Sequence, residues 1–148
     1  MTVAVRLTGP RSEWTFGSRG VSQAASDIDR ILFTHRPLEN EETKIAELVA
    51  STEDPVLDGA VGSAISFLYS TFERAIKLGS WTTPLITLSE AGEVVFEWWH
   101  NNKKITFYFG ENQPEFIKVW GTDIDTEMDS GILTDSWSLT SLWLWLHS

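Results

Sequence analysis

Between Pro84 and Trp120 the chain carries three strand-like runs in succession, PLITLS, EVVFEWWH and KKITFYF, followed by a fourth, EFIKVWG. The turns that join the first three set a register. Asn101-Asn102 separates His100 from Lys103 as a two-residue hairpin loop, and Asn suits the positive φ that a type I′ turn requires at both central positions. Such a loop puts Trp98 opposite Ile105, Phe96 opposite Phe107 and Val94 opposite Phe109, so every pair on one face is apolar. Upstream, Glu90-Ala91-Gly92 has the form of a three-residue hairpin loop with glycine in the left-handed position. It sets Leu88 opposite Val94 and Ile86 opposite Phe96. Two independent turns choose the same core face, and a slip of one residue would rotate all of these side chains to the other side of the sheet.

The same pairing defines a second face. Glu93, Val95, Glu97 and Trp99 alternate outward, with Tyr108 opposite Val95, Thr106 opposite Glu97 and Lys104 opposite Trp99. The last pair is placed for a cation–π contact. The loop around Asn112, Gln113 and Pro114 leaves the register of the fourth run open. With Ile117 and Val119 facing the core, Phe116, Lys118 and Trp120 join the outer face. Glu97, Trp99, Tyr108 and Trp120 are then the candidate partner-binding residues. Large aromatics among charges on a sheet face are either covered by another element or exposed to touch something else.

The first half reads as helical. Thr2 to Leu7 alternates enough for a short strand, stopped at Gly9-Pro10, and residues 12–20 are spotted with glycine and serine as a loop or arm. A first helix is expected from Ser22, with Ala25, Ile28 and Leu32 on one stripe, ending at Pro37. A second is expected from Asn40, an N-cap followed by Glu41 and Glu42, with Ile45, Leu48 and Val49 apolar, broken at Asp54-Pro55. The third and strongest runs from about Val56 to Leu78, with Leu57, Val61, Ile65, Leu68, Phe72 and Ile76 at helical spacing and Gly79 as its C-terminal cap. Gly59 and Gly62 weaken its first turns. The last apolar run, SWSLTSLWLWLHS, places Leu139, Leu142, Trp143 and Leu146 on one helical side and Trp137, Ser141, Leu144 and Trp145 on an adjacent one. As a helix it needs burial on two sides; a buried strand is the alternative. The expected architecture is a single α+β domain over residues 1–148: a possible strand and arm (1–20), a helical part (21–79), then a four-stranded antiparallel β-meander closed by a C-terminal helix (80–148).

Charge limits the partners. The chain has a net charge of −10, and residues 79–148 hold only three basic groups, Lys103, Lys104 and Lys118, against ten acidic ones. Phosphate backbones and anionic lipid surfaces are poor partners for such a surface, while a basic protein would be drawn to it. Seven of the eight tryptophans follow Gly79. The absence of cysteine removes disulfides and thiolate chemistry. No apolar run reaches the ~18–20 residues that span a bilayer, and the N-terminus lacks a hydrophobic signal core. A cytoplasmic protein is expected.

Chemistry-bearing motifs are sparse. Asp123, Asp125, Glu127 and Asp129 alternate, but an EF-hand counted from Asp123 needs glycine and glutamate where Met128 and Thr134 stand. They read as a solvated acidic loop, and no metal or cofactor is expected. His35, His100 and His147 have no spacing that brings two together as ligands or around a nucleophile. No phosphate-cradling glycine loop, nucleophile elbow or HExxH pattern occurs.

From Pro84 onward the residues Pro84, Ile86, Gly92, Val94, Phe96, Glu97, Trp98 and Ile105, with Trp145-Leu146 at the end, resemble a loose set of small bacterial proteins of unassigned function. Those proteins share a proline-led strand, a glycine turn, a Phe-Glu-Trp strand and a terminal Trp-Leu. The likeness covers less than half of the chain. It implies membership of a gene pair and a protein partner of the toxin–antitoxin or immunity kind. The expected function is a non-enzymatic, acidic protein-binding module, antitoxin-, immunity- or inhibitor-like, acting through the aromatic sheet face on another protein. The alternatives are a homo-oligomer that uses the same surfaces, and a small-ligand binder or enzyme with a pocket between helix and sheet.

Overall fold

The computed structural model describes residues 37–148. The expected strand at Thr2–Leu7, the arm that follows it and the helix from Ser22 lie outside the described residues. The elements run α1 (Glu39–Ser51), α2 (Ala60–Lys77), β1 (Leu85–Leu88), β2 (Val94–His100), β3 (Lys103–Phe109), β4 (Glu115–Val119), β5 (Met128–Ile132) and α3 (Ser136–Leu146). The fold is α+β, with one antiparallel sheet of spatial order β1-β2-β3-β4-β5.

The meander has the register set by its turns. Leu88 pairs with Val94, Ile86 with Phe96, Phe96 with Phe107, Trp98 with Ile105 and Val94 with Phe109. Gly92 takes the left-handed conformation, φ 88°. The second turn departs from type I′: among the described non-glycine residues only Asn101 has positive φ, 56°, so one left-handed residue suffices to close His100 onto Lys103.

Among the described residues the sheet has five strands, not the expected four. The fifth comes from the acidic segment, where MDSGI pairs along β4 with Val119 opposite Met128 and Glu115 opposite Ile132. Asp and Gly are poor strand formers, so this strand forms because β4 supplies a ladder, not through its own propensity. The register of β4 is also the reverse of the expected one. Phe116 pairs with Phe107 and Lys118 with Ile105, while Ile117 and Val119 pair with Thr106 and Lys104. Phe116, Lys118 and Trp120 therefore share the core side, and Ile117 and Val119 turn outward.

The three helices among the described residues contribute to one core. Phe67 of α2 sits at its centre, its ring centroid 4.5 Å from Phe107 and 4.9 Å from Phe109. Trp98 is buried and meets Trp143 of α3 edge-on at 5.4 Å; its indole N–H donates to the Thr82 carbonyl at 2.8 Å. The buried residues of α2 are Ala60, Ala64, Ile65, Phe67, Leu68, Thr71 and Ala75; Ile65 and Leu68 belong to the expected stripe, whereas Phe67 and the alanines extend it to one side and Ile76 is left exposed. Small alanines on that stripe let the helix approach the aromatic sheet closely. Gly59, at φ 80°, delays the start of α2 to Ala60. Gly79, at φ 68°, follows its end as expected. The N-cap of α1 is Leu38 rather than Asn40, with no side-chain cap; Leu38 is instead fully buried in the core.

The C-terminal run is a helix. Asp135 caps it, accepting the Ser138 N–H at 2.8 Å, and Leu139, Leu142, Trp143 and Leu146 are buried. Its other side is not covered by the described residues: Trp137 is 74% and Leu144 50% exposed.

Candidate partner-binding surface

The outer sheet face is built in cross-strand rows. One row runs Trp99, Lys104, Val119, Met128; the next Leu85, Glu97, Thr106, Ile117, Ser130; the third Thr87, Val95, Tyr108, Glu115, Ile132. Glu97, Trp99 and Tyr108 thus share one face through the β2–β3 register. The centre of this face is closed, with Val95 and Thr106 buried. Its margins are open: Trp99 is 51% exposed, and Leu85, Met128 and Ile132 are exposed as well.

Trp99 is held in place by charge. Lys104 Nζ lies 5.2 Å from the Trp99 ring centroid and 2.6 Å from Glu97 Oε2, and Glu97 also accepts a longer hydrogen bond from the Thr106 hydroxyl at 3.3 Å. The three side chains form a relay in which the carboxylate fixes the ammonium and the ammonium fixes the indole. An exposed aromatic that is already ordered loses little side-chain entropy on meeting a partner.

Trp120 is not part of this surface. It lies on the helix side, edge-on to Trp145 of α3 at 6.0 Å. Lys118 Nζ stands 5.9 Å from the Trp120 ring and 5.2 Å from that of Trp145, and its ammonium reaches Asp129 at 3.7 Å. Lys103 completes this second cluster. Its Nζ donates to the carbonyls of Trp145 and Ser148 at 2.9 and 3.0 Å and to the Ser148 hydroxyl at 2.7 Å, placing a cation at the C-terminal end of α3, where the helix dipole favours it. The register of β4 decides which face Trp120 joins. Alternation of E-F-I-K-V-W alone favours Ile117 and Val119 inside, and the structure overrides it because Phe116, half-buried, packs against the core opposite Phe107 and the cation of Lys118 is satisfied at the rim.

A concave site of about 350 Å³ opens at the far end of the outer face, lined by Glu93, Tyr108, Glu115, Ile117, Ser130 and Ile132, with Phe116 and Gly131 behind. Sequence reasoning placed Glu93 and Tyr108 on this face but missed the site, because its other walls come from β4 and β5. The usable signal was the weak alternation of Met128, Ser130 and Ile132 after the acidic turn.

The remaining chemistry-bearing groups are distributed as follows. Asp123 and Glu127 are spent on the β4–β5 turn, where Glu127 Oε2 accepts the Asp123 N–H at 3.0 Å and Asp123 Oδ1 accepts that of Asp125 at 3.0 Å. The four acidic residues do not line one side of an extended segment. His100 and His147, distant in sequence, are brought together with ring centroids 4.8 Å apart, correcting the expectation that no two histidines meet. His147 Nδ1 also lies 3.1 Å from the Trp143 carbonyl oxygen. Among the described residues no three metal-ligating side chains converge, and no helix is long and apolar enough to cross a membrane. No family model, no curated protein and no solved structure matches this chain.

Proposed function

We propose that this chain is a non-enzymatic protein-binding module of the antitoxin, immunity or inhibitor kind, which engages another protein through the outer face of its sheet. The observation that carries the reading is Trp99, half exposed and pre-ordered by Lys104 and Glu97 on a face rimmed by Leu85 and Met128. Tryptophan is the residue type most enriched at interface hot spots, and burial of a fixed indole contributes more than burial of a mobile one. Tyr108 adds a second aromatic in the same field. The net charge of −10 favours a basic partner by speeding encounter.

The test compares tagged wild type with Trp99→Ala, checked for equal folding by circular dichroism, each co-expressed with the products of the adjoining genes. Recovery of one protein by the wild type and its loss from the variant supports the reading. Equal recovery by both, or none by either, overturns it. A second reading, self-association, is favoured by the exposed Trp137 and Leu144 of α3. Light scattering separates the two: a dimer that Trp137→Ser and Leu144→Ser together convert to monomer supports self-association, and a monomer at high concentration removes it.

A further inference from the structure

His100, the last residue of β2, and His147, the residue after α3, meet on the helix side of the sheet. His100 alternates with Trp99, so it points away from the face proposed for protein binding. Both histidines are half-buried, and their ring centroids lie 4.8 Å apart with the planes inclined at 42°. Trp143 backs the pair, its ring 4.6 Å from that of His147.

The tautomer of His147 is set by its neighbour. Nδ1 lies 3.1 Å from the Trp143 carbonyl oxygen, which can only accept, so Nδ1 carries the proton and donates it. The lone pair of the neutral ring is then on Nε2. A ring N–H anchored on a backbone carbonyl is the arrangement that orients a histidine as a metal ligand. Neither Nε2 of His147 nor either ring nitrogen of His100 has a hydrogen-bond partner among the described residues. The spacing of the rings fits as well. Two imidazoles that each bind one ion through nitrogen at about 2.0–2.1 Å, near the tetrahedral angle, have ring centres about 5 Å apart.

The surroundings favour a cation, because the carbonyl end of α3 lies here and the net charge of −10 draws cations to the chain. Lys103 already places one ammonium on the carbonyls of Trp145 and Ser148, so a second cation must bind through its ligands and not through charge alone. Imidazole suits zinc, nickel and copper, whereas magnesium demands oxygen.

We infer that His100 and His147 form a two-histidine site for a divalent transition-metal ion, with solvent completing its coordination, and that the bound ion ties the end of β2 to the end of α3. The site is independent of the protein-binding reading, which uses the opposite face of the sheet. Its ligands meet only in the folded chain, so the ion stabilises the fold.

The probe is zinc chloride, titrated calorimetrically into the untagged chain at mildly alkaline pH, with excess magnesium present to occupy carboxylates. His35→Gln controls for the third histidine of the chain. The expected result is saturable binding weakened at least about tenfold by His100→Gln and by His147→Gln, and about twofold or less by His35→Gln. No saturable binding by wild type in magnesium, dependence on only one of the two histidines, or equal loss in all three variants overturns the site. Wild type alone gives a second readout: in NMR spectra of the histidine rings, zinc should shift the signals of His100 and His147 and leave that of His35 in place. Should circular dichroism show that a variant misfolds, these signals decide, and unshifted rings overturn the proposal.

Discussion

At the scale of single residues, the two glycines Gly92 and Gly79 separate backbone strain from steric room. Both have positive φ, 88° and 68°. A Cβ on Gly92 would stand 2.5 Å from the Pro55 carbonyl oxygen, whereas one on Gly79 meets nothing within 4 Å. Gly79→Ala is expected to cost about 1 kcal/mol, the left-handed penalty alone. Gly92→Ala should cost at least about 3 kcal/mol, because the Leu57 N–H to Gly92 carbonyl bond of 2.9 Å holds the Pro55 loop against the turn and gives it nowhere to go. Urea unfolding of the two variants checks the order; equal losses would mean that the loop yields freely. Gly92 was legible from its turn. The Pro55 contact was not, since it joins segments that no local pattern relates.

At the scale of elements, α3 shows how little of a helix needs to be covered for the helix to hold. Its buried side is Leu139, Leu142, Trp143 and Leu146, and its opposite side carries Trp137 and Leu144. Trp143→Ala is expected to destabilise by about 3–5 kcal/mol through the cavity it leaves against Trp98, and it also removes the indole N–H bond to the Ser80 hydroxyl at 2.8 Å. Trp137→Ser should stay within about 0.5 kcal/mol of wild type. Thermal or urea unfolding distinguishes the two. The start of the same helix is pH-sensitive. The Asp135 carboxyl is held below its usual pKa by the backbone N–H of Ser138, aided by the Ser138 side chain. A depressed folded-state pKa means that the cap stabilises fully above the unfolded carboxylate pKa of about 3.9 and loses that contribution as pH falls through the folded value. Asp135→Asn keeps a capping oxygen without the titration, so the variant should lose less stability than wild type between about pH 5 and pH 2. Identical pH profiles would remove the cap from the acid response. The capping residue itself is visible in the sequence as an aspartate before an apolar run. Which sides of the run are buried is decided by α2 and the sheet.

At the scale of the whole molecule, the sheet separates two clusters of lysine and tryptophan onto opposite sides. Lys104 and Trp99 face outward with Glu97, whereas Lys103 and Lys118 sit with Trp120 and Trp145 and fasten α3 to the sheet. Lys103→Met should therefore loosen the end of α3, seen as faster amide exchange at residues 143–147 with the sheet amides unchanged. Trp99→Ala should leave global stability nearly unaltered, within about 0.5 kcal/mol, because its ring is half exposed and outside the core. Unfolding measurements on both variants test whether the two clusters have the separate roles of fastening and presentation.

The meander through β3, its register, both its faces and the pairing of Lys104 with Trp99 were determined by sequence alone, since hairpins with short turns have period-two alternation and loop lengths that admit one solution. The helices Glu39–Ser51 and Ala60–Lys77 were equally plain from spacing, although the spacing starts the second at about Val56 and the structure at Ala60. Tertiary structure decided what depended on distant partners: the fifth strand, which exists only against β4; the face taken by Trp120, fixed when Phe116 packs against the core; the meeting of His100 with His147; and the concavity lined by Glu93 and Glu115. Each of these joins residues across a loop whose length leaves the register free, and only the packing of α2 and α3 on one side of the sheet removes that freedom.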